Sequence, residues 1–268
     1  MKKSLLTLFA ALVSLSALAA DMPYQGFGIQ VGFAQPILRL NSSSNPQAPT
    51  VSGGDFNKET FGLGNKTRLN GIKVGVVYDA SYVKGFGSSI GINYTYASGT
   101  PGWEACTYDL YNVKEKRTWY KYHELELFAD WQYKFEVAKE TYIILYTGPS
   151  IQYAFALKSH MDGKLPDMNT GGYTISSIPG TEYSHLGSNE NDLPDENLKA
   201  FNVTWGVGVG FQYKRYFLRG GYDFGLINPY KNRQFDKPRA DGTFISTHGR
   251  LDQWQIKIGV YLWYDNND

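Results

Sequence analysis

Between Phe201 and Tyr213 the chain alternates without a break. Phe201, Val203, Trp205, Val207, Val209, Phe211 and Tyr213 hold one parity, and Asn202, Thr204, Gly206, Gly208, Gly210 and Gln212 the other. A β-strand sends successive side chains to opposite faces, so this segment has one apolar face and one small, polar face. The pattern recurs from Phe27 to Phe33, from Ile72 to Tyr78, from Ile90 to Tyr96, from Leu125 to Phe135, from Ile143 to Phe155, from Tyr216 to Phe224 and from Trp254 to Tyr264. Eight strands of roughly 10 to 13 residues are predicted, with a bulge or edge kink at Pro36.

The connections alternate as regularly as the side chains. Tight stretches at Tyr82–Gly85, Glu136–Glu140 and Lys214–Arg215 are separated by long polar excursions at Asn41–Lys66, Gly99–Arg117, Ser159–Leu198 and Asn228–His248. Short and long connections in strict turn are what an antiparallel up-and-down barrel produces when one end needs only hairpins and the other displays loops.

Alternation does not say whether the apolar face meets a packed core, water or lipid; three features favour lipid. The strands are longer than the 5–6 residues usual in soluble sheets. Trp254 and Tyr264 end one apolar stripe ten residues apart, about 25 Å along the axis of a tilted barrel, the height of the lipid-facing band between aromatic girdles. The polar parity is rich in glycine, which a water-facing surface does not need but a narrow lumen does. A barrel with water outside and a ligand cavity inside is the competing reading.

Composition agrees with strands at an interface: 21 Tyr, 29 Gly and 16% aromatic residues. The net charge of +1 gives no general attraction to nucleic acid. The single cysteine, Cys106, rules out an intramolecular disulfide framework. Met1-Lys2-Lys3, the apolar run Leu5–Leu18 and the small-residue end Ala17–Ala20 have the layout of a secretory signal peptide. The expected organisation is therefore a leader over 1–20 and one barrel over 21–268.

Leader, eight alternating strands, short turns at one end and long loops at the other resemble the small outer-membrane β-barrels typified by the OmpA membrane domain and OmpX. The resemblance covers the whole mature chain and rests on architecture, without a local motif. It implies an all-β, eight-stranded transmembrane barrel in a Gram-negative outer membrane, monomeric, with both termini in the periplasm. It also implies handling by periplasmic chaperones and the barrel-assembly machinery, contact with outer-membrane lipid and lipopolysaccharide, and an extracellular partner for the loops. Such chains often end on an aromatic residue, whereas here Trp263-Tyr264 precedes Asp265-Asn266-Asn267-Asp268. No second, peptidoglycan-binding domain is expected after the last strand.

Lys73, Glu124, Glu126, Asp130, Arg219, Asp223 and Lys257 carry charge on the polar parity and are expected to form a salt-bridged plug inside the barrel. The alternative is a narrow channel for small solutes or ions. Counting inward from a Tyr216–Tyr264 pair sets Asp223 opposite Lys257. Lys114, Lys116, Arg117 and Lys121 are candidates for lipid-phosphate contact at the outer rim, with Lys121 on the outward parity beside Trp119. Pairing of these basic residues with the acidic third loop is the competing reading. A lipid-modifying enzyme would need a Ser/His/acid set. Of His123, His160, His185 and His248, only His123 lies on a predicted strand, and no sequence arrangement supports catalysis. Gly187–Asn197 lacks the spacing of a known calcium loop, and neither a metal nor a cofactor is expected.

Overall fold

Two unlike faces make a barrel only if the first and last strands find each other. The computed structural model describes residues 24–44, 67–83, 85–100, 102–108, 113–167, 171–178, 182–184, 186, 198–229 and 245–266. Among these lie β1 (Tyr24–Ser44), β2 (Thr67–Arg68), β3 (Asn70–Val83), β4 (Phe86–Gly99), β5 (Trp103–Tyr108) and β6 (Val113–Ala138). There follow β7 (Thr141–Pro166), β8 (Tyr173–Ser177), β9 (Tyr183–Ser184), β10 (Phe201–Tyr213), β11 (Tyr216–Gly225) and β12 (Ile245–Asn266). Eight of them form a closed antiparallel ring in the order β1, β3, β4, β6, β7, β10, β11, β12. β12 returns to β1 along its whole length, from Tyr24 opposite Asn266 to Ser44 opposite Ile245. The chain is thus an all-β, eight-stranded antiparallel up-and-down barrel. The predicted leader lies outside the described residues.

Alternation sorts the walls as expected. Phe27, Ile29, Val31, Ile72, Val74, Ile92, Leu125, Leu145, Val207, Val209, Leu218 and Ile258 stand exposed on the outside. Gln30, Lys73, Asn93, Glu126, Gln152, Thr204, Arg219 and Lys257 are buried in the lumen. Glycine lets the lumen accept large groups. A Cβ on Gly208 would overlap the Tyr146 phenol, and one on Gly221 would stand 2.5 Å from its hydroxyl. Bare backbone on β10 and β11 is what makes room for that ring.

Several expectations change. β6 and β7 are 26 residues each, about twice the predicted length, and β1 and β12 also run on past their apolar stripes. The excursions Gly99–Arg117 and Ser159–Leu198 are therefore partly strand: β5 pairs with the outer part of β6, and β8 and β9 with the outer part of β7. Polar residues extend a sheet here because both faces meet water, so no apolar alternation marks them. Pro36 causes no bulge. β1 continues through it opposite Gln253, and the ladder to β2 and β3 skips Gln35 and Pro36 without a shift of register. Pro36 still accepts a hydrogen bond from the Leu69 amide at 2.9 Å.

The girdle pair Trp254–Tyr264 is also corrected. β12 carries an extra residue, Leu262, where Phe27 and Gly28 face Trp263 and Tyr261. The bulge reverses parity, so Trp263 stands outside at 48% exposure while Tyr264 stacks inward on Tyr261 and Tyr24. Finally, β11 does not start level with the end of β12. Tyr216 faces Val260, Arg219 faces Lys257 and Asp223 faces Gln253, so the expected Asp223–Lys257 cross-strand pair does not exist. Closing a small barrel requires strands to be staggered, and counting from level ends ignores that stagger. At the turn end the stagger leaves an open cleft of about 720 Å³ lined by Tyr142, Lys214, Tyr216 and Tyr264.

A closed ring has no unpaired edge from which to unfold, so the protein is expected to migrate differently on a detergent gel before and after boiling. Gly208→Val should lower stability by about 1–3 kcal/mol through overpacking, and Tyr146→Ala in the same chain should recover part of it. Urea midpoints in detergent check both, and an unchanged Gly208→Val midpoint contradicts the packing described.

Candidate functional site

The lumen is built around two polar nodes. Near the turn end, the Asp79 carboxylate of β3 receives Arg219 of β11 at 2.7 Å, Lys134 of β6 at 3.3 Å and the Tyr261 hydroxyl of β12. The same guanidinium donates to Ser89 at 2.7 Å and Gln132 at 3.0 Å. Lys134 donates to Gln212 at 2.8 Å and lies 3.9 Å from the centre of the Tyr24 ring.

Further out, Lys73 pairs with Glu126 at 2.8 Å and donates to Gln255 at 3.0 Å and to Gln253. Glu126 also accepts from Asn93 at 2.7 Å and Ser150 at 3.3 Å, and Asn93 accepts from Gln30 at 2.6 Å. Glu124 accepts from Tyr122 and, at 3.5 Å, from Gln253.

All seven charges predicted for the lumen lie buried in it, but in different partnerships from those expected. Asp223 accepts from Gln255 at 2.7 Å. Lys257 has no ion pair among the described residues and sits 4.8 Å from the centre of the Phe128 ring. Sequence reasoning left Asp79 and Lys134 out of the set, although both have the correct parity. They stand near strand ends, where a lumen and a rim look alike in sequence. The amides that complete the shells, Gln30, Asn93, Gln132, Gln253 and Gln255, carry no charge to draw notice. Among the described residues of the lumen, four cations (Lys73, Lys134, Arg219, Lys257) face five acids (Asp79, Glu124, Glu126, Asp130, Asp223).

Apolar clusters border this polar core. Val77, Phe128, Phe217 and Tyr261 pack together on the turn side. Leu38, Leu69, Ala97, Tyr120, Tyr122, Ala154 and Leu157 close the loop side, capped by Leu198 from the connection before β10. The cavity beneath that cap measures about 10 Å³, space for about one water molecule.

Beyond the cap, β5, β6, β7 and β8 form a sheet outside the ring. On its outward face Arg117 bonds Asp162 at 2.9 Å and lies between the rings of Trp103 and Trp119, 4.6 and 4.7 Å from their centres. Trp119 donates to the same carboxylate at 2.9 Å, and Lys164 pairs with Glu115. The predicted rim set is thus divided. Arg117 is paired within the sheet, Lys116 has the opposite parity, and Lys121 stands outward and exposed; of the Lys114 side chain nothing is described. The basic residues of the fourth loop (Lys231, Arg233, Lys237, Arg239), His185 and the whole of Gly187–Asn197 lie outside the described residues. Cys106 is in β5.

His123 is joined on a strand by His160 of β7 and His248 of β12. Its Nδ1 lies 2.8 Å from the Tyr94 hydroxyl, and its ring lies among Tyr94, Tyr96 and Phe155. Among the described residues no group of three His, Cys, Asp or Glu side chains is placed to hold a metal ion.

No family model and no curated protein matches the chain. Among solved structures it is similar to Neisserial surface protein A (NspA), with 10% identity and a TM-score of 0.39 over 89% of this chain and 99% of that one. It is similar to Ail, the attachment invasion locus protein of Yersinia pestis, with 10% identity and a TM-score of 0.35 over 88% and 97%. It is also similar to the N-terminal β-barrel domain of Pseudomonas aeruginosa OprF, with 8% identity and a TM-score of 0.28 over 88% and 98%.

Removing one member of a buried ion pair strands the other, which costs about 3–5 kcal/mol. Lys73→Met should therefore be strongly destabilising. Adding Glu126→Gln should restore much of the loss, because the amide keeps an acceptor for Asn93 and carries no charge. Urea unfolding of the wild type, the single and the double variant measures this. A double variant no more stable than the single one would mean that Lys73 and Glu126 are not coupled.

Proposed function

We propose that the chain is an integral outer-membrane β-barrel of a Gram-negative envelope, exported by residues 1–20, whose lumen is a polar plug and whose outer sheet serves surface recognition. The observation that carries this reading is the outside of the ring. From Phe27 to Phe33, Ile72 to Tyr78, Ile90 to Tyr96, Leu125 to Tyr133, Ile143 to Phe155, Phe201 to Phe211, Leu218 to Phe224 and Trp254 to Leu262, the outward parity holds no Asp, Glu, Lys or Arg. A soluble monomer rarely exposes more than a few hundred Å² of contiguous apolar surface; here it encircles the molecule. Aromatic residues border the belt. On β6 ten residues separate His123, in its cluster of Tyr94, Tyr96 and Phe155, from Tyr133, about 25 Å along the axis.

Backbone in lipid must pair with itself, and a closed barrel does so. Even the polar Thr147 of the belt is satisfied, donating to the Gly206 carbonyl at 2.8 Å and accepting from Trp205 at 2.9 Å. Short turns and both termini then face the periplasm, and the outer sheet stands above the membrane. Recognition by an extracellular partner fits a sheet whose edge strand exposes Tyr173 and Ile175. The interlocked nodes and apolar caps favour a plug over a channel, and the surroundings of His123 favour a structural over an enzymatic role. Assembly by periplasmic chaperones and the barrel-assembly machinery follows from this reading.

Reconstitution into vesicles of brominated phosphatidylcholine should quench the fluorescence of the outward Trp131, Trp205, Trp254 and Trp263, and planar bilayers should show no conductance steps. Unquenched tryptophans would remove the membrane reading. Well-resolved conductance would replace the plug with a pore.

A further inference from the structure

Where the apolar belt ends on the loop side, one outward row crosses several strands. Asn70 faces Ser98, Ser98 faces Lys121, Lys121 faces Lys158, and Lys158 faces Ser184 of β9. Its centre is two lysines directly opposite each other, both exposed. Directly opposed residues have their Cβ atoms about 5 Å apart, and like charges there repel. The acid on the same face of β7, Asp162, two residues beyond His160 and four beyond Lys158, is already held by Arg117 and Trp119. Among the described residues neither lysine has an ion-pair partner. The sheet therefore keeps two uncompensated ammonium groups together at one level, where one anion with several oxygens would relieve their repulsion.

The level of the row identifies the anion. Immediately below it lies an apolar ledge of Tyr94, Tyr96, His123 and Phe155, with Tyr94 stacked 6.1 Å from Phe155 and His123 5.6 Å from it. Tyr96, Tyr153, Phe155 and Leu125 are exposed below the lysines. Lys121 stands twelve residues from Tyr133, about 30 Å along the axis, hence about 5 Å beyond the aromatic border. A ligand that sets an anion on the lysines has its remainder against an apolar wall.

We propose that Lys121 and Lys158 clamp a phosphate of an outer-leaflet glycolipid, with its acyl chains against Tyr94, Tyr96 and Phe155. This rests on the membrane reading above. Lysine suits the task as a mobile point charge with three donors. The clamp narrows the rim predicted from sequence. Lys121 remains, Arg117 is removed by its pairing with Asp162, Lys116 by its parity, and Lys158 enters from the neighbouring strand.

The test compares the wild type, Lys121→Gln/Lys158→Gln and Lys116→Gln in detergent, each with bisphosphorylated lipid A, lipid A stripped of phosphate, or inorganic phosphate at matched concentration. Bisphosphorylated lipid A should raise the unfolding temperature of the wild type and of Lys116→Gln. The double variant should lose that rise and bind at least about tenfold more weakly, the factor expected from losing one charge-assisted hydrogen bond. Stripped lipid A and free phosphate should leave the wild type unmoved. No rise in the wild type, an equal rise in the double variant, or an equal rise with either control overturns the clamp. The gel shift on boiling, run in parallel, separates the two failures. If it is retained while the lipid A effect fails, only the clamp falls; if it is absent, the barrel itself is wrong.

Discussion

The Asp79 carboxylate ties together strands far apart in the chain. β3 supplies the acid, β6 Lys134, β11 Arg219 and β12 Tyr261, and these four strands reach across the ring as well as around it. A buried ionic node of this kind contributes little net stability compared with a well-packed apolar core, because desolvation offsets attraction. What it contributes is register. A strand that slipped by one residue would turn its charge outward into the apolar belt, and a slip of two would strand it inside without its partner. The staggered pairing that sets Arg219 beside Lys257, and Asp223 beside Gln253, is held in this way. The lumen therefore selects one alignment of eight strands whose outward faces, mostly Val, Ile, Leu and aromatic, could tolerate several.

The same constraint explains the density of amides. Eight strands enclose too little space for bulk water, so each buried charge needs neutral partners that reach a short distance. Gln253 and Gln255 of β12 occupy two of the three positions around the Lys73 ammonium, and Asn93 bridges Gln30 to Glu126. The Tyr146 ring enters where β10 and β11 have only glycine to offer. Polar interior and glycine stripe are thus one solution to a shortage of volume.

Much of this was legible in the sequence, and the rest failed for identifiable reasons. A period of two over eight segments is enough to sort Phe201 outward and Thr204 inward, and Gly85 or Lys214–Arg215 marks a tight turn. The alternation disappears wherever both faces of a strand meet water, as at Val113–Trp119 and Ser159–Pro166, so strands there read as loops. A single inserted residue such as Leu262 reverses every later assignment, which is why Tyr264 was expected outside and Trp263 in its place went unnoticed. Pair identities such as Lys73 with Glu126 depend on stagger, a property of the closed ring that no single strand carries. The opposed lysines at Lys121 and Lys158 were hidden for the same reason, since they are 37 residues apart and meet only through the β6–β7 register.

The continuity of β6 and β7 from the turn end to the tip has a consequence for how this surface can change. Because one hairpin serves both the barrel wall and the outer sheet, an insertion or deletion in its outer half would alter which side chains face outward beside the lysine pair. Natural variants should therefore differ in the outer sheet by substitution, with length changes confined to the connections at its tips, between β5 and β6 and between β7 and β8. The barrel wall imposes its discipline on residues that lie beyond it.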